Sequence, residues 1–271
     1  MSDGSSVIRR LLEADVLRRP VLRAAINAAG FPRGSAGVDV GCGIGLQARL
    51  LAEAVGADGR VTGLDIDPEL VANAAGLAAD VGLAERVTFR AGDMHAIPLD
   101  DRSVDWAWSA DCAGYPAGPL APILAELTRV VRPGGSVVVV GWSSQQVLPG
   151  HPGLEARLNA RCSAYEPFLA GMSPERHFLR AARTFVEAGL VEVTTRTFVG
   201  DVRAPLDPPR RIALAGLLEM LWRVPSGGVS DDDVRSYQRL CSARSEDFIL
   251  DVPGYYAFFT YTMFRGRVPA Q

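Results

Sequence analysis

The sequence predicts an α/β fold built on a parallel, doubly wound sheet, and three observations predict it. Short β-favouring runs alternate with stretches of helical spacing along most of the chain. A glycine-rich turn, "GVDVGCGIG" at residues 37–45, follows the first of those runs. The second and third runs lead into aspartates, Asp65 and Asp93, at the strand ends where ligands sit in open sheets of this kind.

Each element has its own local reason. Residues 7–29 have helical spacing, with Pro20 as a break or as the start of a second helix. "AGVDVG" then reads as a buried strand, and "LQARLLAEAV" (46–55) as a helix stopped by Gly56. "RVTGLDI" (60–66) is a second strand. The helix after it starts with Pro68 in its first turn and Asp67 as cap. "RVTFRAGD" and "SVDWAWSAD" are strands three and four. "PLAPILAELTRVV" is a helix closed by "RPGG", and "SVVVVGWS" is strand five. "PERHFLRAARTFVEAGL" reads as a helix capped by Ser173, and "VEVTTRTFVG" as strand six. The aromatic run "YYAFFTYTMF" (255–264) can add one more strand. Residues 144–173 and 203–253 break the alternation, and insertions of that length in a compact domain are usually functional.

Composition narrows the class. The chain has 271 residues, 48% of them apolar, enough for one domain with a sizeable core. Its net charge is -3, all of its basic residues are arginine, and it has no basic run, which argues against a nucleic-acid partner. No apolar run approaches the length of a membrane span, and no leader pattern opens the chain, so a cytoplasmic protein is expected. Cys42, Cys112, Cys162 and Cys241 are scattered without a C-x-x-C pair, so neither a metal site nor a disulfide framework is expected. Cys42 reads as a small buried side chain.

The spacing Gly41–Gly43–Gly45 is G-x-G-x-G, with Leu46 where the dinucleotide fingerprint wants its third glycine. The chain has no lysine for a phosphate loop. Asp39, two residues before the turn, would repel phosphate but suits a ligand carrying an amino group. Asp65 can accept both hydroxyls of a ribose. Asp93 can accept from an adenine amine, with Met94 and Ile97 flanking the ring. The motifs "VDVGCGIG", "LDID", "GDMHAIPL" and "LTRVVRPGG", in that order, resemble the class I methyltransferases that use S-adenosylmethionine, above all the small-molecule branch of ubiquinone and menaquinone C-methyltransferases. The resemblance covers residues 35–142 well. It implies a Rossmann-like, seven-stranded sheet with an antiparallel last strand. It places the methionine part of the cofactor beside Asp39, Gly41, Gly43 and Gly45, the ribose on Asp65, and the adenine near Ile66, Asp93 and Met94. Ser109, just after strand four, matches a position that contacts the cofactor through its backbone.

The resulting layout is a single domain over 1–271. Residues 1–34 form a helical cap, 35–143 the cofactor-binding half, 144–173 and 203–253 a helical lid, and 254–267 the last strand. The expected reaction is methyl transfer to a small apolar acceptor, quinone-like or another natural product. A repurposed, non-methylating reaction such as a cyclisation or decarboxylation, a cofactor-binding regulator, and an NAD-dependent oxidoreductase are the alternatives. Tyr115 and Asp111, in the loop "SADCAGYP", and His151 in the first insert are candidate bases or orienting groups. His177, His95 and Trp142 are weighed with them, and apolar insert residues such as Tyr165, Phe168, Leu217, Met220 and Trp222 are read as sheet-packing core or acceptor wall.

Overall fold

A computed structural model describes residues 4–114, 117–162, 171–222 and 229–270. Helix α1 (Gly4–Ala29) leads into strand β1 (Ala36–Val40), α2 (Leu46–Val55), β2 (Arg60–Asp65), α3 (Pro68–Ala79) and β3 (Val87–Ala91). Next come β4 (Val104–Ala110), α4 (Leu120–Val130), β5 (Val131–Gln146), α5 (Pro152–Asn159), α6 (Ala181–Glu187) and β6 (Val191–Arg203). Helices α7 (Pro208–Trp222) and α8 (Asp231–Cys241) precede β7 (Tyr256–Arg267). The strands form one sheet in the order β3-β2-β1-β4-β5-β7-β6. All pairs are parallel except those of β7, which runs against both β5 and β6. The order reverses between β1 and β4, the kind of switch point at which open sheets of this class bind ligands.

Alternation along the strands sends side chains into two cores. Trp106, Trp108, Val138, Val140, Phe259 and Tyr261 face α1, α2 and α7. Val38, Val40, Ala107, Val137, Val139 and Phe264 face α4 and α6. Both β4 tryptophans are therefore core, and each indole N–H is satisfied, Trp106 by Ser35 Oγ at 2.9 Å and Trp108 by Gln47 Oε1 at 3.1 Å.

Three local expectations are corrected. Pro20 neither breaks α1 nor starts a second helix: one helix runs through it, because Leu17, Val21, Leu22, Ala25 and Ile26 on its buried face hold both halves to the core. The stretch 174–190 is not one helix. It forms two 3₁₀ turns, Pro174–Arg176 and Phe178–Arg180, and then the short α6. Ser173 bonds the Glu175 carboxylate and caps no backbone N–H, while His177 Nδ1 accepts from Leu179 N. Strand β5 begins five residues early, inside "VRPGG", and its pairing with β4 shifts register between Val104 and Trp106 to absorb the extra residues. Asp67 caps α3 as expected, accepting from Glu69 N at 2.8 Å.

Both long insertions leave from the carboxyl edge of the sheet, and the second returns to it. Gln146 at the end of β5 pairs with Phe258, and Arg203 at the end of β6 pairs with Tyr256, near the start of β7. Their helices are tied to each other and to the sheet. Arg157 of α5 grips Asp233 of α8 through two bonds of 2.9 and 2.7 Å. Asn159 accepts from Gln145 of β5 and from Trp222 of α7. Leu217, Leu218 and Trp222 are core residues, and Met220 is exposed.

Candidate functional site

The glycine turn is built by backbone geometry that side chains would spoil. Gly41, Gly43 and Gly45 all have positive φ, of 79°, 54° and 76°. The carbonyl of Leu64 accepts from both Gly41 N and Cys42 N, which folds the turn against β2. Gly45 is the left-handed residue just before α2, and the helix start carries no side-chain cap. A Cβ at Gly45 would stand 2.6 Å from the Phe89 ring, and one at Gly41 2.7 Å from Cys112 Cβ and Sγ. Gly45→Ala is therefore expected to cost about 2 kcal/mol of stability, from positive φ and overpacking together. Denaturant unfolding checks it, and a loss below about 0.5 kcal/mol would show that the turn tolerates a side chain.

Asp39 sits in β1 beneath this turn. It is 1% exposed, and neither carboxylate oxygen has a hydrogen-bond partner among the described residues. Burial, reinforced by the charge of Asp65, pushes its pKa up to about 8; the N–H of Ala48 in α2 lowers it without closing a bond of normal geometry. A buried carboxylate left this way is costly unless something binds it. Asp65 ends β2 and braces the turn: its Oδ2 accepts from Gly43 N at 2.7 Å and its Oδ1 from Asp67 N at 3.1 Å. Beyond it, Ile66 is 72% exposed, an apolar side chain with an open face.

Asp93 is exposed and accepts from His95 N at 2.8 Å and bonds His95 Nδ1 at 2.9 Å. These bonds hold its carboxyl below the usual range. Met94 turns toward Gly41, its Cε 3.6 Å from where a Cβ would stand. Ile97 is 3% exposed and packed in the core on the α4 side.

Toward the end of β4, Ser109 is fully buried, its hydroxyl unpartnered among the described residues. Asp111, with φ 53°, has both oxygens engaged. Oδ1 accepts from Trp142 N at 2.9 Å, and Oδ2 accepts from Tyr261 OH at 2.9 Å and from Arg18 Nη2 at 2.5 Å. Arg18 Nε also donates to Tyr261 OH at 2.9 Å. Burial works against the Arg18 charge, and Tyr261 and Asp111 overcome it, so the guanidinium stays ionised. Burial pushes the Tyr261 hydroxyl up, so it remains a donor. Asp111 is thus an anchored carboxylate rather than a free base. Trp142, half-buried, stacks on Phe259 at 4.7 Å and meets Tyr261 edge-on at 5.5 Å, an aromatic wall beside Asp111.

Tyr115, Tyr165 and Phe168 lie outside the described residues. His151 lines a separate cavity of about 330 Å³ with Arg239, Phe248 and Asp251 of the second insert, and none of the glycine-turn residues borders that cavity. Sequence reading missed Arg18 and Tyr261. Nothing local marks them: one is an arginine in an arginine-rich helix, the other lies in an aromatic strand.

Comparison with known proteins follows the same geometry. A methyltransferase domain family matches residues 38–135, from β1 through the glycine turn to the start of β5. The chain is 35% identical over 132 residues to a probable tocopherol O-methyltransferase of Oryza sativa, covering 47% of this chain and 36% of that one. It is 39% identical over 119 residues to the 2-methyl-6-phytyl-1,4-hydroquinone methyltransferase of a Synechocystis strain, covering 42% and 34%. The chain thus spans about a third of the length of these curated relatives. The crystal structure of a SAM-dependent methyltransferase from Aquifex aeolicus superposes with a TM-score of 0.53 at 22% identity, over 73% of this chain and 92% of that one, and shares the fold. Among the described residues no helix is long and apolar enough to cross a membrane. With its strand order, its glycine turn and the family match in agreement, residues 38–135 of this chain are similar to a methyltransferase domain.

Proposed function

We propose that the chain transfers a methyl group from S-adenosylmethionine to a small apolar acceptor bearing a hydroxylated ring. One observation carries the cofactor side: the buried, unpartnered carboxylate of Asp39 lies under a positive-φ glycine turn that Asp65 braces. Asp39 is matched to the cofactor's ammonium group, the Gly41–Gly45 backbone to its methionine part, Asp65 to the ribose hydroxyls, and the open face of Ile66 with Met94 and Asp93 to the adenine. The donor set fits the group. S-adenosylmethionine, when bound, supplies the electrophilic methyl group and leaves as S-adenosylhomocysteine.

The chain's own work is then holding and shielding. The Trp142–Phe259 wall beside Asp111 suits a flat, apolar acceptor. The inserts at the carboxyl edge are positioned to exclude water from the switch point. Asp111 fixes the β4 loop, and Tyr115 is the first candidate to take or orient an acceptor proton. The relatives named for tocopherol and a phytyl hydroquinone favour a quinol-like acceptor with an isoprenoid tail.

The test is to incubate the full chain with methyl-labelled S-adenosylmethionine and a panel of phenols, hydroquinones and sterols. Label transfer to one class, with S-adenosylhomocysteine formed in equal amount, is the expected result. Tight binding of S-adenosylhomocysteine with no transfer to any acceptor would leave a cofactor-binding scaffold and overturn methylation. With an acceptor in hand, Tyr115→Phe is expected to lower turnover about a hundredfold if the residue is the base. A near-normal rate would mean that positioning carries the reaction.

A further inference from the structure

The glycine turn is covered from two sides, and both covers are fastened to one ion pair. Leu11 of α1 lies over Gly43, its Cδ1 3.7 Å from where a Cβ would stand. Cys112 lies over Gly41, its Sγ 2.7 Å from the corresponding point. Arg18 is two turns along α1 from Leu11, and Asp111 is the chain neighbour of Cys112. The Arg18–Asp111 bond of 2.5 Å therefore ties one cover to the other, and Tyr261 OH, bonded to both partners at 2.9 Å, anchors the pair to β7. Beneath them Asp39 is 1% exposed. A ligand that bonds that carboxylate therefore needs part of its surroundings to move.

Helix α1 is built to let one cover move. Residues 5–14 include no buried side chain, whereas Leu17, Val21, Leu22, Ala25, Ile26 and Ala29 are buried. Buried Asp15 and Leu17 follow the lightly packed turns. Pro20 stands inside the helix between Leu17 and the longer anchored run from Val21 to Ala29. It has no N–H, so the carbonyl of Val16 loses its helical partner there, the usual origin of a helix hinge.

We propose that Arg18 is a positioning residue that clasps both covers of the glycine turn through Asp111, and that α1 before Pro20 lifts to exchange the cofactor. The second half of this statement rests on the S-adenosylmethionine reading above. The first half is a property of the ligand-free chain.

Hydrogen exchange on the full ligand-free chain tests the clasp, and stopped-flow binding of S-adenosylhomocysteine tests its consequence. In Arg18→Gln, amides of residues 5–18 and 109–114 are expected to exchange at least about tenfold faster, with the sheet and α2 unchanged. S-adenosylhomocysteine is expected to dissociate about tenfold faster. Arg18→Lys keeps the charge for Asp111 but cannot hold Tyr261 as well, so it should recover part of the effect. Exchange unchanged in both segments, or raised throughout the molecule, would overturn the clasp. Pro20→Ala leaves the clasp intact and restores the missing N–H. It should slow exchange in residues 5–16 and slow cofactor association, and the absence of both effects would overturn the hinge even if Arg18→Gln fails to fold. A wild-type chain that binds no S-adenosylhomocysteine would sink the functional reading, while the exchange experiment would still decide the clasp.

Discussion

Asp65→Ala is expected to weaken binding of S-adenosylhomocysteine about a hundredfold in a chain that still folds. The Asp65 carboxylate accepts from Gly43 N and Asp67 N, and an ionised carboxylate has about four acceptor sites, so room remains for two ribose hydroxyls. Each such charge-assisted bond contributes about 1.5 to 3 kcal/mol. Non-additivity brings the summed loss to a range of roughly ten- to several-hundred-fold in affinity. Two further effects act in opposite directions. The glycine turn loses the acceptor of Gly43 N and loosens. Asp39 loses a like charge that raises its pKa, and so ionises more readily toward the ligand's ammonium. Calorimetric titration of wild type, Asp65→Ala and Asp65→Asn separates them. Asn keeps one acceptor oxygen for the turn but no charge for the ribose, so it should bind nearly as weakly as Ala while unfolding at a temperature nearer wild type. Wild-type affinity in Asp65→Ala would make the residue a turn brace and nothing more.

What could be read from the sequence, and what could not, divides by the range of the forces involved. The turn glycines, the Asp67 cap and the strand alternation are local signals, set by φ preference, by backbone N–H groups within three residues, and by side-chain period. The seven-stranded sheet with an antiparallel last strand came from the family resemblance, and the strand order itself is not a local signal. Pro20 was misread because local propensity votes for a break, whereas packing of Leu17, Val21 and Leu22 outweighs one lost hydrogen bond. The segment 174–190 was misread for the opposite reason: its apolar spacing is helical, but the backbone closes 3₁₀ turns around Pro174 and His177 before α6 begins. Ile97 sits in the core under α4, a packing partner that its sequence neighbours do not reveal. The Arg18–Asp111–Tyr261 set could not be seen at all. Its members stand 93 and 150 residues apart, and no local pattern records a contact that only the closed sheet creates. The glycine turn and its neighbouring aspartates are local features, whereas the contacts around Asp111 depend on long-range pairing.

Asp39→Asn should move stability and binding in opposite directions. In the folded, ligand-free chain the Asp39 carboxyl keeps its proton up to about pH 8, against a usual value of 3.8. Below the usual value both folded and unfolded chains hold that proton and pH has no effect. Between there and pH 8 the unfolded chain is the one that has released it, so stability falls as pH rises. The loss is complete once pH passes the folded value, and a four-unit shift sets an upper bound of roughly 5 kcal/mol. Asparagine has nearly the same shape and cannot ionise. The variant should therefore match wild type near pH 4 and unfold at a temperature several degrees higher at pH 8.5. Binding runs the other way. The ligand's ammonium needs the carboxylate, so in wild type a proton must leave as it binds, and affinity for S-adenosylhomocysteine should climb by up to about tenfold per unit between pH 5.5 and 7.5, below the range where an α-amino group deprotonates. Asp39→Asn should bind about a hundredfold more weakly at pH 7.5, as expected for removing one buried charge-assisted contact of up to about 3 kcal/mol, and its affinity should be flat with pH. Paired thermal melts and titrations across that range decide the matter. A variant that gains stability at pH 8.5 yet binds like wild type would place the unpartnered carboxylate outside the ligand's reach, and the ammonium would need another anion.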